Sequence, residues 1–232
     1  GNQISFITSK DDDGDNGGDS DFNEGLIAYY PFSGNANDES GNGHDGTVNG
    51  ATLSTDRFGD KNSAYLFNGS NSYIEIQPSE DLNVNDEITI CIWTNWDGTG
   101  GKNRVLTNWQ IGSRSNNFQY TIGVNDVFYT QLGKDYSSVP SVDYPNDNDW
   151  HQVCVSYGNG TVKHYIDGAL LSNVKFSTTF SSRNNPIFIG GGASGSRMPV
   201  YIFNGSIDDI RIYDYQLSDN QVSELYEFED DQ

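Results

Sequence analysis

Basic residues are scarce in this chain of 232: 12 Lys and Arg stand against 33 Asp and Glu, a formal charge of −21. A field of that sign repels polyphosphate, which argues against nucleic acid as a partner, and it attracts divalent cations. Residues 11–24 hold seven of the acids and residues 224–231 five, which leaves 21 acids against 11 bases in residues 25–223. No run approaches the ~20 apolar residues that a membrane-spanning helix requires. Cysteine is limited to Cys91 and Cys154, too few for a disulfide-stapled scaffold in a chain long enough to hold its own core. A bridge between them and two half-buried free thiols both fit the sequence, and free thiols are the preferred reading.

The motifs of several catalytic classes are missing as well. His44, His151 and His164 fall in separate segments, with neither His-Glu-x-x-His nor Gly-x-Ser-x-Gly, which argues against a zinc protease and a nucleophilic triad. No strand carries carboxylates on alternating residues, the device that sets a glycosidase acid and nucleophile about 5 Å apart. Gly190-Gly191-Gly192-Ala193-Ser194-Gly195 satisfies a dinucleotide-loop pattern, but no helix follows it, so it reads as a plain loop. No catalytic residue is therefore assigned, and the chain is read as a non-enzyme.

What is abundant is turn chemistry and aromatic side chains: 26 Gly, 14 Tyr, 12 Phe and 4 Trp. Short β segments recur between clusters of Gly, Asn, Asp and Ser. Leu26 to Tyr30 forms a first strand ended by Pro31, and Tyr65-Leu66-Phe67 and Tyr73 to Ile76 flank an apparent hairpin turn at Asn68-Gly69-Ser70-Asn71-Ser72. From Trp150 to Tyr157 the alternation places Val153 and Val155 on one face, Gln152 and Cys154 on the other. About a dozen such strands imply an all-β fold, a two-sheet antiparallel jelly-roll β-sandwich. One short helix is expected at the C-terminus: Ser218 to Gln221 has capping-box spacing, and Val222, Leu225 and Tyr226 then share a face. The organisation read from this is an acidic flexible tether at residues 1–24, one sandwich at 25–228 and an acidic tail at 229–232. The tether has calcium-loop spacing at Asp11, Asp13, Asp15 and Asp19, but Asn16 replaces the turn glycine and Phe22 the bidentate acid, so it reads as a solvated linker.

Two segments at opposite ends, Tyr30-Pro31-Phe32-Ser33-Gly34-Asn35 with Asp38 to Gly46, and Gly205-Ser206-Ile207-Asp208-Asp209-Ile210-Arg211-Ile212-Tyr213, make the chain resemble a laminin-G-like, concanavalin-A-like lectin/glucanase domain. Tyr65 to Ser70, Ile88 to Trp93, Trp150 to Val155 and Tyr165 to Gly168 extend the likeness across nearly the whole chain. The resemblance implies a structural calcium ion between the first loop and the last strand, held by Asp38, carbonyls near Gly43 and His44, and Asp208. Strict alternation would turn Asp208 inward beside Ile210 and Ile212, a buried carboxylate in need of a partner. The alternative is that Asp38 caps a turn and Asp208 bonds to amides.

Function is read as binding rather than reaction. The partner class is a polysaccharide or glycoprotein glycan; a module that binds a surface protein for adhesion, or only spaces its neighbours, is the alternative, and a glycoside hydrolase is the third reading. Trp96, Arg104, Trp109 and Tyr136, close to polar loops, are the candidate ligand-binding residues. Gly1 in place of an initiator Met and the acidic run at residues 10–21 suggest a trimmed leader and a tether to an upstream anchor, hence a secreted or cell-surface location.

Overall fold

The computed structural model describes residues 22–84, 86–98, 103–108, 119–133, 137–180, 185–193 and 199–230. Most of the acidic tether lies outside them, as do Trp109 and Tyr136. In chain order the strands are β1 (Leu26–Tyr30), β2 (Gly46–Asn49), β3 (Thr52–Thr55), β4 (Lys61–Asn68), β5 (Tyr73–Ile76) and β6 (Ile88–Trp96). Next come β7 (Arg104–Asn108), β8 (Tyr120–Val124), β9 (Val127–Leu132), β10 (Ser137–Ser138), β11 (Val142–Asp143) and β12 (His151–Gly158). The remainder are β13 (Thr161–Ile166), β14 (Ala169–Lys175), β15 (Ile187–Ile189), β16 (Gly192–Ala193), β17 (Pro199–Val200) and β18 (Asn204–Tyr213), followed by helix α1 (Asp219–Asp230).

Two antiparallel sheets carry the fold. The first is ordered β14-β13-β12-β6-β18-β4-β3 with β1 also on β18; the second is ordered β10-β9-β8-β7-β15-β5-β2 with β11 on β9. The first and last strands are thus neighbours, as the sequence implies. The segment at residues 68–72 is not a hairpin. β4 lies in the first sheet and β5 in the second, so this turn crosses the sandwich, fastened by the Asn68 side-chain oxygen, which accepts from the amides of Ser70 (2.9 Å) and Asn71 (3.0 Å).

Alternation places the main core between the sheets. Ile74 and Ile76, Ile122 and Val124, Phe128 and Leu132, and Ile187 and Ile189 come from the second sheet; Ile90 and Ile92, Val153 and Val155, and Ile207, Ile210 and Ile212 from the first. The central strands of the first sheet are buried on both faces, because α1 packs over the outer one. There Cys91, Cys154, Tyr165 and Tyr213 meet Leu217, Val222 and Leu225 in a second apolar cluster. The capping box forms as expected: the Gln221 amide donates to Ser218 Oγ at 3.2 Å and the Ser218 amide to Gln221 Oε1 at 3.0 Å. The helix has 12 residues.

Cys91 and Cys154 are directly opposed on β6 and β12 and form a disulfide, which corrects the free-thiol reading. The sequence shows two outward-facing positions but not that the strands pair in register there. Their Cα atoms stand 4.1 Å apart.

His164 points into the main core with its ring edge-on to Phe128 at 4.8 Å and Nε2 at 2.9 Å from Thr130 Oγ1. Burial pushes its pKa down to about 4 from 6.5. The neutral ring therefore contributes stability that is fully present above pH 6.5 and is lost as pH falls through about 4. Urea midpoints measured across that interval should fall with acidification, and His164→Leu should make the fall shallower; an unaltered slope would contradict the assignment.

Candidate functional site

The loop from β1 to β2 and the bulge in β18 are the places to which the sequence points. Asp38 sits midway along that loop with its carboxylate filled by donors: Tyr29 N (2.9 Å) and Ser40 N (2.9 Å) on Oδ1, Ser40 Oγ (2.9 Å) and His44 N (3.0 Å) on Oδ2. Burial opposes its charge, but these donors outweigh burial and hold its carboxyl below the usual range. Gly43 supplies a left-handed turn at φ 80°. The His44 carbonyl accepts from Tyr30 Oη at 2.6 Å, and the His44 ring meets Asp81 at 2.9 Å.

Asp208 lies elsewhere in this arrangement. Its register slips by one residue between Asp208 and Arg211, where Asp209 adopts a left-handed φ of 36°. This β-bulge breaks the strict alternation expected of the strand: Ile207, Ile210 and Ile212 all reach the main core, whereas Asp208 and Asp209 both turn to the outer face. There Arg57, from the turn after β3, places Nη1 at 2.8 Å from each of the two carboxylates and donates through Nη2 to the Glu229 carbonyl at 2.7 Å. Asp38 and Asp208 are thus engaged with different partners. Asp38 accepts the amide of Ser40 two residues on, as a turn cap does.

Glu229 anchors the helix end and is only 1% exposed, so the acidic C-terminus is not simply a solvated tail. Its Oε2 accepts from Trp93 Nε1 (2.7 Å) and Gln152 Nε2 (2.8 Å), its Oε1 from Arg211 Nε (2.7 Å). Tyr226, one turn earlier, stacks on Trp93 at 5.6 Å. Three acids and two arginines share this outer-face network. Burial first, and Asp209 second, push Asp208 up to about 8 against the opposing pull of Arg57. The same two causes raise Glu229, with Arg211 opposing. The sequence holds a signal for this network that composition hides: the outward positions of β6, β12 and β18, namely Trp93, Gln152 and Arg211, are all groups that need a buried acceptor or counter-charge.

The proposed ligand-contact residues separate. Trp96 is 4% exposed in the main core, edge-on to Tyr144 at 6.3 Å, and presents no open face. Its loop-side position in the sequence misleads because β6 extends through it. Trp109 and Tyr136 lie outside the described residues. Arg104 faces outward from the second sheet, opposite Gly123.

Arg104 is the base of an aromatic platform. Its guanidinium lies 4.5 Å from the centre of the Tyr201 ring, and its amide donates to the Tyr201 carbonyl at 3.0 Å. Tyr201 is 41% exposed and has a left-handed φ of 56°, a conformation costly for an aromatic residue, about 1–3 kcal/mol, and retained where surrounding contacts impose it. Tyr129 lies across β8 beside Arg104 and donates to the Asn103 carbonyl at 3.3 Å. Only glycine admits that ring: a Cβ on Gly123 would collide with it. Along the same outer face a cross-strand row runs Thr47, Glu75, Phe188, Thr107, Thr121 and Gln131. Glu75 is the one carboxylate of that row, so the paired-acid geometry of glycoside cleavage is not formed there among the described residues.

A family model described as the concanavalin A-like lectin/glucanases superfamily matches residues 68–223, more than half of the chain. The chain belongs to that superfamily. No curated protein matches the sequence. Among solved structures, domain 4 of AbnA, an extracellular arabinanase from Geobacillus stearothermophilus in complex with arabinotriose, is 21% identical with a TM-score of 0.65. That match covers 87% of this superfamily member and 98% of the arabinanase domain. The binding domain of botulinum neurotoxin serotype D is 17% identical with a TM-score of 0.66, covering 89% of this chain and 51% of that one. The neurotoxin DC binding domain in complex with SialylT is 15% identical with a TM-score of 0.68, covering 89% and 52%. The chain therefore spans about half the length of the neurotoxin domains, and at these identities the likeness establishes the shared sandwich alone.

Within this lectin/glucanase sandwich, Glu229→Ala removes the acceptor of Trp93 and Gln152 and leaves Arg211 buried without its partner. The expected loss is about 3–5 kcal/mol in chemical denaturation, whereas exposed Glu227→Ala should stay within about 0.5 kcal/mol of the parent. Equal effects of the two substitutions would contradict the network.

Proposed function

We propose that this chain is a non-catalytic carbohydrate-binding module that takes a glycan on the outer face of its second sheet. The observation that carries the reading is the exposed Tyr201 ring held over a buried Arg104 guanidinium by a strained backbone and a main-chain hydrogen bond. A ring fixed in advance loses little freedom on binding, and the C–H face of a sugar stacks on such a surface while its hydroxyls bond to adjacent polar groups. Tyr129 and, from the cross-strand row, the accessible Thr47, Glu75 and Gln131 side chains supply those groups. The arabinanase domain, matched over nearly its full length and solved with arabinotriose, supports this more directly than the neurotoxin domains, of which only half is matched. A module of this kind works outside the cell or on its surface, where polysaccharides and glycoproteins are met.

A glycan array probed with the parent and with Tyr201→Ala tests the reading. The parent should bind a restricted glycan set, and the variant should lose about tenfold or more in affinity, about 1.4 kcal/mol, with an unaltered unfolding temperature. Binding to no glycan, with retention on a surface protein instead, would make the module a protein adhesin.

The reading does not depend on calcium. An ion at the loop between β1 and β2 would have to replace the amide donors that now fill Asp38, so unfolding temperatures in EDTA and in added Ca²⁺ should coincide. A calcium-dependent rise of several degrees that Asp38→Asn abolishes would instead assign the structural ion to this loop.

A further inference from the structure

The disulfide sits in the middle of the first sheet, under the helix. In register across the outer face run Arg211, Cys91, Cys154 and Tyr165. Glu229 draws its three donors from positions that border the bridge: Arg211 opposite Cys91, Trp93 two residues after Cys91 on the same face, and Gln152 two before Cys154. Leu217, Val222 and Leu225 pack in one cluster with the cysteines, which are 1% and 0% exposed. At the other end of α1, Asp219 accepts from Tyr165 Oη at 2.8 Å and Lys163 Nζ at 2.6 Å. The helix is thus fastened at both ends around the bridge.

Thiol–disulfide exchange requires a thiolate to reach one of the two sulfurs. The main core lies beneath β6 and β12, and β18 and β13 flank them, so the approach is from the outer face, which α1 occupies. No residue of α1 belongs to the main core, so the helix can leave the sheet while the sandwich stays packed. We propose that α1 is a strap over a redox-sensitive bridge: docked, it closes the Cys91–Cys154 disulfide to external thiols, and its undocking, with the two sheets still packed, admits reduction. A dithiol then attacks one sulfur as its thiolate, forms a mixed disulfide and releases the other cysteine; its second thiolate displaces the first cysteine, which leaves two protein thiols and an oxidised dithiol. The bridge is thereby protected where thiols are present, and its reduction is tied to release of the helix. This device is independent of the glycan reading.

Reduction of the whole chain by excess dithiothreitol, quenched by alkylation and followed by intact mass, tests the strap with three variants. Glu224 is exposed in the middle of α1, so Glu224→Gly and Glu224→Ala both remove its side chain and differ in helix propensity. The glycine variant should be reduced about fivefold faster than the alanine variant. Ile122→Val loosens the main core from the second sheet by a comparable amount and should leave the reduction rate at that of the parent. Equal acceleration by Glu224→Gly and Ile122→Val would mean that the bridge is reached only through global unfolding. Equal rates for the glycine and alanine variants would mean that thiols reach the sulfurs with the helix in place. Either result overturns the strap.

Discussion

Arg57 ties together three parts of the chain that are far apart in sequence. A single guanidinium, buried between the Phe58 and Trp93 rings, reaches the two carboxylates of the β18 bulge and the last turn of α1. A charge placed so deep is tolerated when it is paired, and the bulge is what makes the pairing geometrically available: it turns adjacent acids to the same side of the strand. The positive group at the Glu229 carbonyl also compensates a helix C-terminus whose own last turn has no basic residue. Glu229 in turn takes up the donors that Trp93, Gln152 and Arg211 project from the middle of the first sheet.

This arrangement decides where function can be located. With α1 closed over the first sheet, the outer surfaces of β6, β12 and β18 belong to a second core and are not open to a ligand. Among the described residues no helix packs on the outer face of the second sheet, and there the chain places an aromatic ring in a strained conformation over a buried cation. Two glycines leave room for it: Gly123 under the Tyr129 ring, and Gly192, where a Cβ would approach Arg104 Nη1 to 3.0 Å. The helix and the Tyr201 ring thus lie on opposite sides of one sandwich. Among the described residues of the cross-strand row Glu75 is the one carboxylate.

The sandwich was legible in the sequence because period-two alternation and turn chemistry are local signals. Val153 and Val155 against Gln152 and Cys154 could be assigned to faces from order alone, and the Ser218 to Gln221 cap announced the helix. Pairing was not legible. Nothing in residues 68–72 distinguishes a hairpin from a crossing between sheets, and nothing in the flanks of Cys91 and Cys154 shows that their strands align. The bulge was invisible for a related reason: one residue in a left-handed conformation at Asp209 inverts the assignment of its neighbours, and a non-glycine residue gives no warning of it. Acidic composition near the C-terminus suggested solvent, yet Glu229 is buried because its partners come from strands more than 70 positions away or from the far side of a turn, as the 77-residue separation from Gln152 illustrates. Of the candidate contact residues, Arg104 lies on the outer face of the second sheet against Tyr201 and Trp96 lies in the main core; Tyr201 lacked any pattern of its own in the sequence.

The most direct measurement is a crystal structure of the chain with a neutral oligosaccharide selected by its affinity. The account predicts a sugar ring in van der Waals contact with Tyr201, its hydroxyls within hydrogen-bonding distance of side chains on the outer face of the second sheet. An ordered saccharide that touches neither Tyr201 nor Tyr129 would contradict it.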